Sequence, residues 1–557
     1  ISGISDLENG TRQILADKFR GIWRQKAIRS KLIDAARKLH AHHPWGEGWK
    51  AVRSTIYFIY TQNKDKEAFK AVPDNLTALE NELKPNNLIS KIMTYVLSNR
   101  RNHFPLNADF DLKEPGKLHN VREFQEAIAL QLGQDFAASS HNLDELGSNL
   151  FSGNGMPYRY AFGIGLAKGS HNLLIDWEKL VTQLDTQSGQ HKDFSIFRGF
   201  IGAVEAIDST LAQELLDQCA KHPELRQELV NLHPWQKFTE IDLDRCISLL
   251  DDPDIRPLMY GEILWREQYV NLPEERILTL AQRLLSKPNG DDVVIEALGM
   301  RLHHLKDATE PLDIGLRLVG LKAAILRFQR NHDDPSGIID HYMETVLDSS
   351  LRSDGNEAEK LEWLNTIFAV VDEQDGYISS FEGSIGVTAA LMPEAFLNRV
   401  FEGTEEQQRK RLHFIRYNKF RGSPIAKIDI AVLIEWCRIQ NDPRIWTSVA
   451  TGVNLWAKEN EQEILILPKD AMELLEAAPD PKTVLESFAK RAAPSLSSGI
   501  PVSTMQPRVD AIGNLTNHER ADISEAAQKV YGELIDLINR EKIREQREDE
   551  EREQRFE

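Results

Sequence analysis

The chain has 557 residues, 41% of them hydrophobic and 27% charged, with a formal net charge of −19. Single hydrophobic cores stop growing at about 250–300 residues, so the length excludes a one-core protein and predicts several domains or a repeat array. The net charge excludes bulk electrostatic attraction to nucleic acid or an anionic membrane, leaving local basic segments to be weighed separately.

Cys219, Cys246 and Cys437 are scattered with no CxxC pair, which argues against a disulfide framework or a thiolate zinc site and predicts a reducing, cytoplasmic setting. No uncharged apolar run reaches the roughly 18 residues needed to span a bilayer, and the N-terminus lacks a signal-peptide pattern. The start Ile1-Ser2-Gly3, without Met, predicts a piece of a longer polypeptide.

Strand signals are nearly absent, and amphipathic helical segments recur instead. Between Trp23 and Leu39, Ile28, Leu32, Ala35, Ala36 and Leu39 fall on one helical face with Arg and Lys opposite. His43-Pro44-Trp45-Gly46 predicts a corner carrying two indoles, Trp45 and Trp49, and the next helix runs from near Trp49 through Val52, Ile56 and Ile59. From Phe194 to Leu232 the stripe Phe197, Phe200, Ile201, Val204, Ile207 is followed by Asp208-Ser209. A second stripe, Leu211, Leu215, Leu216 and Cys219, predicts two antiparallel helices.

His222-Pro223, His233-Pro234-Trp235 and Asp252-Pro253-Asp254 then read as breaks between helices. Further helices are predicted within 301–334, over Leu361 to Val371 and over Glu394 to Phe401. Ala493 to Pro501 is rich in Pro and Ser and reads as a linker, and a long helix starts near Asp522. Its charged end, with Glu548–Arg552 and Glu551–Arg555 spaced for ion pairs, has almost no apolar stripe after Ile543 and is expected to be solvated.

Helix pairs of roughly 40 residues describe the HEAT class of repeat. The period is ragged and no residue recurs strictly, so the predicted fold is all-α, an irregular HEAT-like α-solenoid of antiparallel helix pairs. The predicted regions are an N-terminal helical region with a basic face (1–135), two helical-repeat regions (136–310 and 311–492), a linker (493–514) and a charged C-terminal helix (515–557).

Motifs for chemistry are weak. Gly116-Lys117-Leu118 is no P-loop, and the glycines Gly163, Gly165 and Gly169 are better explained by close helix approach than by dinucleotide binding. His42-His43 and His303-His304, as sequence neighbours, diverge on a helix and read as cap or surface residues. Glu382-Gly383-Ser384-Ile385-Gly386 lacks the glycine that a nucleophile elbow needs two residues before its serine and reads as a turn. Asp111 and Lys113, with Asp74 upstream, offer half of a metal-dependent nuclease pattern, the third and weakest functional alternative. No catalytic, cofactor-binding or metal-ligating residue is assigned, and no cofactor is expected.

Two basic segments stand against the acidic background. Arg12 to Arg53 holds eleven Lys or Arg and three acids, a local balance of +8. Arg409 to Lys427 holds seven Lys or Arg and no acid, interleaved with Phe414, Tyr417 and Phe420. Basic and aromatic residues together suit a phosphate backbone, so a nucleic-acid-binding helical repeat using Arg409, Arg416, Lys419 and Arg421 is the second functional alternative. Contact with acidic surfaces of the same chain or of a protein partner is the competing use of those cations.

Several stretches carry a family resemblance: His43-Pro44-Trp45-Gly46-Glu47-Gly48-Trp49-Lys50-Ala51-Val52-Arg53, Phe197-Arg198-Gly199-Phe200, Ala477-Ala478-Pro479-Asp480-Pro481 and Glu551-Arg552-Glu553-Gln554-Arg555-Phe556-Glu557. Together they resemble the C-terminal helical region of large bacterial antiviral proteins, the STAND-type NTPases and related sirtuin-linked or nuclease-linked defence proteins. The resemblance implies a non-catalytic sensor or scaffold that recognises a protein ligand, such as a phage protein, and couples it to an effector domain upstream. It also implies that an oligomer is compatible with the role, and it carries no catalytic residue onto this segment. Trp45, Trp49 and Arg53 are the expected partner contacts, because corner aromatics make strong interface anchors. The competing expectation is that the indoles fill the helix-pair core.

Overall fold

The computed structural model describes residues 2–42, 44–62, 72–97, 121–152, 157–187, 192–234, 238–265, 272–304, 313–330, 334, 336–352, 355–374, 378, 380–416, 422–459, 464–493 and 502–556. Over these residues the protein is all-α apart from one short two-stranded ribbon. The chain divides into two compact units, residues 1–259 and 260–557.

In the first unit, α1 (Ser2–Trp23) buries Ala16, Phe19 and Trp23, an i, i+3, i+7 stripe that turns toward α3. The helix expected over 23–39 breaks at a 3₁₀ turn, Lys26–Ile28, and α2 (Arg29–His42) then buries Leu32, Ile33 and Ala36. The corner after it leads into α3 (Gly46–Gln62), where Gly46 lies so close to the Thr94 side chain that any Cβ would collide with it. Next come α4 (Asp74–Leu83) and α5 (Leu88–Tyr95). Asn87 and Ser90 cap α5 reciprocally.

The centre of this unit is α6 (Val121–Ala137), α7 (Pro157–Gly169) and α9 (Ser195–Ile207), with α8 (Leu173–Asp185) between α7 and α9 in sequence. Helix α7 packs on α6 through one face and on α9 through another. The glycines make both seams. A Cβ on Gly165 would fall against Leu130 O, and one on Gly133 against Phe162 O and 2.8 Å from Leu166 N. On the other face, Gly163 meets the backbone of Ile196 and Gly199 that of Tyr160, again with no room for a Cβ. Close helix approach is thus the use made of this glycine run.

Helix α9 and α10 (Ser209–Lys221) form the antiparallel pair predicted across Asp208, whose carboxylate accepts from Leu211 N at 3.0 Å. The short α11 (Leu229–Leu232) and α12 (Glu240–Leu249) follow, and the three proline breaks fall after α10, α11 and α12.

The second unit begins with α13 (Gly261–Trp265), α14 (Glu274–Leu285), α15 (Gly290–His304) and α16 (Ile314–Arg330). Helices α17 (Ile338–Leu351), α18 (Glu357–Glu373), α19 (Glu382–Leu391), α20 (Pro393–Phe401) and α21 (Glu405–Ile415) follow. Each packs on near neighbours in the chain: α16 on α15, α17 and α18, α17 on α19, and α18 on α21. Helices α22 (Ile430–Gln440) and α23 (Pro443–Ala450) lead to the ribbon β1 (Ala457–Glu459) and β2 (Ile464–Ile466), antiparallel with Lys458 opposite Leu465. Strands of three residues carry too little alternation to show in a sequence.

The unit closes with α24 (Lys469–Ala477), α25 (Pro481–Ala492), α26 (Val502–Gly513) and α27 (Ala521–Phe556). Residues 502–513, placed in the linker at the sequence level, are helical and bury Val502, Met505, Val509 and Ile512. The boundary drawn after residue 135 falls inside α6. Helix α27 buries Ile523, Ala527, Val530, Leu534 and Ile538 against α25 and α26, and its apolar stripe fades at Ile543, 52% exposed.

Candidate functional site

Of the expected partner anchors, the two indoles lie inside. Trp49 projects from α3 into the seam with α4, fully buried, and its indole N–H donates to Glu80 Oε1 at 2.9 Å. The Arg53 guanidinium, one turn on, donates to the same oxygen at 2.6 Å and lies 5.3 Å over the Trp49 ring. Tyr95 packs on Trp49 with ring centroids 5.7 Å apart, and burial pushes its phenol up to about 12. Trp45 is 3% exposed, and its backbone N–H donates to His40 Nδ1 at 3.2 Å.

Trp45 and Trp49 are therefore core residues, whereas Arg53 is half-buried against Glu80. The cause is the glycine corner. Gly46 and Gly48 let α3 approach closely enough for both indoles to turn inward, and an indole buried beside a carboxylate satisfies its N–H there.

The basic segment 409–427 is divided. Helix α21 starts with a capping box between Thr404 and Gln407. Arg411 turns inward and is bound bidentately by Asp372 of α18, Nε to Oδ1 at 2.9 Å and Nη2 to Oδ2 at 2.7 Å. Its Nη1 donates to the carbonyls of Arg399 and Glu402, closing the C-terminus of α20. Lys410 donates to Asp372 O at 2.8 Å, and the Lys427 stem lies against Gly386. Arg409 and Arg416 are exposed, while Lys419 and Arg421 lie outside the described residues. Two cations of the segment, Lys410 and Arg411, thus hold α18, α20 and α21 together, while Arg409 and Arg416 face solvent.

Three buried polar clusters escaped the sequence reading. Arg159 of α7 is fully buried, donating to Asp193 Oδ2 at 3.0 Å and to the carbonyls of Asn149 and Ser152. Asp193 Oδ1 in turn accepts from the N–H of Ser195, the first residue of α9. Second, His233 Nδ1 donates to Leu229 O at 2.8 Å while Nε2 lies 3.4 Å from Asp242 Oδ1. Arg245 Nη1 donates to that oxygen at 2.8 Å, and Thr239 closes a capping box on Asp242.

Burial alone would push the Asp242 carboxyl up. The bonds from His233 and Thr239 outweigh it and hold the carboxyl far below the usual carboxylate range. The signal Thr239-x-x-Asp242 is a capping box that a sequence can show, whereas nothing near Arg159 or Asp193 announces their pairing.

Third, Ser384, read as a turn residue, stands in the first turn of α19 with no exposure. Its Oγ donates to Asp340 Oδ1 at 2.6 Å, and the backbone N–H groups of Gly383 and Ser384 donate to the same carboxylate. Asp340 from α17 thus caps α19 across the seam, and the preceding Phe381 takes a positive φ of 70° to turn the chain into it.

Of the nuclease half-pattern, Asp74 opens α4 and Asp111 lies outside the described residues. Among the described residues no group of three or more His, Cys, Asp or Glu is placed to hold a metal ion. No helix among them is long and apolar enough to cross a membrane. No family model matches the chain, and no curated protein and no solved structure is significantly similar to it.

Proposed function

We propose that this chain is a recognition and scaffolding segment, an irregular HEAT-like array of helix pairs that binds a protein partner. In the bacterial defence setting implied by the sequence resemblance, the partner is a phage protein and the signal passes to an effector carried by the same polypeptide. The neighbour-on-neighbour packing of α14 to α25 carries the proposal, since each of these helices packs on helices close to it in sequence. The buried clusters support a scaffold in a second way, since the Arg159, Asp242 and Asp340 groups each join two or more elements. A partner preferring one arrangement of successive helices would shift the population toward it by its differential affinity.

The test is capture of partners by the purified chain from phage-infected and uninfected bacterial cells, followed by titration of the purified candidate. The proposal expects a stoichiometric complex whose hydrogen-exchange protection runs along outward faces of successive helices. Absence of a partner from both lysates, or protection confined to one helix end, would contradict it.

A further inference from the structure

Residues 18–31 hold six Lys or Arg and no Asp or Glu, in a chain whose net charge is −19. The fold sorts the basic N-terminal segment into two groups. Arg12, Arg37, Lys50 and Arg53 are satisfied internally: Arg12 by the carbonyls of Leu39 and Pro44, Arg37 by Glu82, Lys50 by Glu47 and Arg53 by Glu80. Lys18, Arg20, Arg24, Lys26, Arg29 and Lys31 have no carboxylate partner among the described residues, and all but the half-buried Arg29 are exposed.

Three of these cations are held in place by aromatic rings. Arg20 and Arg24, one turn apart on α1, each lie with the guanidinium carbon 5.0 Å from the centroid of the same ring, Phe58 of α3. Arg29, at the start of α2, lies 4.9 Å over Trp23, and its Nε donates to Trp23 O at 2.7 Å. Stacking leaves the edges of a guanidinium, where its N–H donors lie, open to solvent. Three planar forks are thereby pre-ordered at the junction of α1, the 3₁₀ turn and α2, with lysines on either side. The only acids nearby on α1 beyond Gly10 and on α2 are Asp17, which accepts from Gln13, and Asp34.

We infer that this junction binds the phosphodiester backbone of a nucleic acid without reading its sequence. Bidentate guanidinium forks match phosphate oxygens, and a run of cations at short spacing suits a polymer carrying a charge at every residue. The overall negative charge does not prevent this, because exposed charges farther away than about 8 Å are largely screened at physiological salt. The inference goes beyond the protein-recognition proposal and stands independently of it. It also places the nucleic-acid contact on α1 and α2 rather than on α21.

The experiment is fluorescence anisotropy of the full chain with a labelled duplex of ~20 base pairs at ~50 and ~200 mM salt. Binding is expected that weakens steeply with salt. The variant Arg20→Gln/Arg24→Gln/Arg29→Gln should lose at least about tenfold in affinity and reduce the slope of log K against log salt by roughly 2 to 3. Arg409→Gln/Arg416→Gln should leave both unchanged. Should the arginine variant melt early, Lys18→Gln/Lys26→Gln/Lys31→Gln, which touches no ring, takes its place with the same expected loss. Absence of binding at low salt, binding insensitive to the junction variants, binding lost in the Arg409/Arg416 variant, or displacement of the duplex by polyglutamate at equal charge would each overturn the inference.

Discussion

Replacing Gly165 by Ala adds one methyl at the tightest seam of the first unit. The new Cβ would fall against Leu130 O and 2.9 Å from both Leu130 C and the Gly133 Cα, all backbone atoms that no rotamer change can move. To reach ordinary contact the new Cβ and Leu130 O must part by well over ~1 Å, which also forfeits about half or more of the dispersion where the seam opens. Overpacking of this kind costs typically about 1–3 kcal/mol and sometimes more, against which the helix propensity of Ala returns about 1 kcal/mol. With the seam loss included, a net destabilisation of about 2–3 kcal/mol follows.

For a unit of this size that corresponds to a melting shift of roughly 4–12 °C in the transition reporting residues 1–259. Gly532→Ala on α27, where a Cβ meets nothing within 4 Å, is the control and should be neutral or stabilising by up to about 1 kcal/mol. Differential scanning calorimetry with hydrogen exchange on α6 and α7 measures both. Gly165→Ala behaving like Gly532→Ala would refute the close-approach account of the seam.

Asp193→Ala strands a fully buried guanidinium and should cost about 3–5 kcal/mol, read by chemical denaturation, whereas Arg409→Ala should be near neutral. Arg411→Ala removes the bidentate tie to Asp372 and the closure of α20, and should increase hydrogen exchange in α18, α20 and α21 together. The Asp242 carboxyl is held below its unfolded value, so its stabilising contribution is present above about pH 4 and lost only as pH falls through the lower folded value. The melting gap between the protein and Asp242→Asn should therefore persist at about pH 4 and narrow only below it; a gap already closed at about pH 5 would contradict the network. Burial pushes the Cys219 and Cys246 thiols far up and Cys437 up to about 12, so a thiol reagent at about pH 8 should label none of the three until the chain is unfolded.

The helical fold was legible because its signals are local. The stripes of α9 and α10, the break at Asp208 and the start of α27 follow from apolar spacing and capping chemistry within a few residues. The glycine run of α7 was legible as close packing, although its two partners, α6 and α9, were not. Side-chain direction was less so. Trp45 and Trp49 had two plausible environments, and the choice was made by Gly46, Gly48 and Glu80, the last more than 30 residues away.

The same holds for Arg411 and Arg416, five residues apart in one basic run, of which the first meets Asp372 and the second faces solvent. Arg159 and Asp193 are separated by 34 residues, and a pairing at that distance leaves no periodic trace. The cationic junction shows the reverse case. Its charge density was visible in the sequence, but its stacking on Phe58 required α3 to return beside α1.

The reach of one core defect shows whether successive helices stack mainly on their chain neighbours. Trp363 of α18 is fully buried, its ring meets Phe328 of α16 edge-on at 5.3 Å, and its N–H donates to Thr388 of α19 at 2.8 Å. Trp363→Ala should cost about 3–5 kcal/mol locally. Hydrogen exchange across the second unit should then accelerate in α16 to α19 and α21 while α23, α25 and α27 keep their protection. Uniform loss of protection from α14 to α27 would show a single cooperative core and contradict the helical-array account.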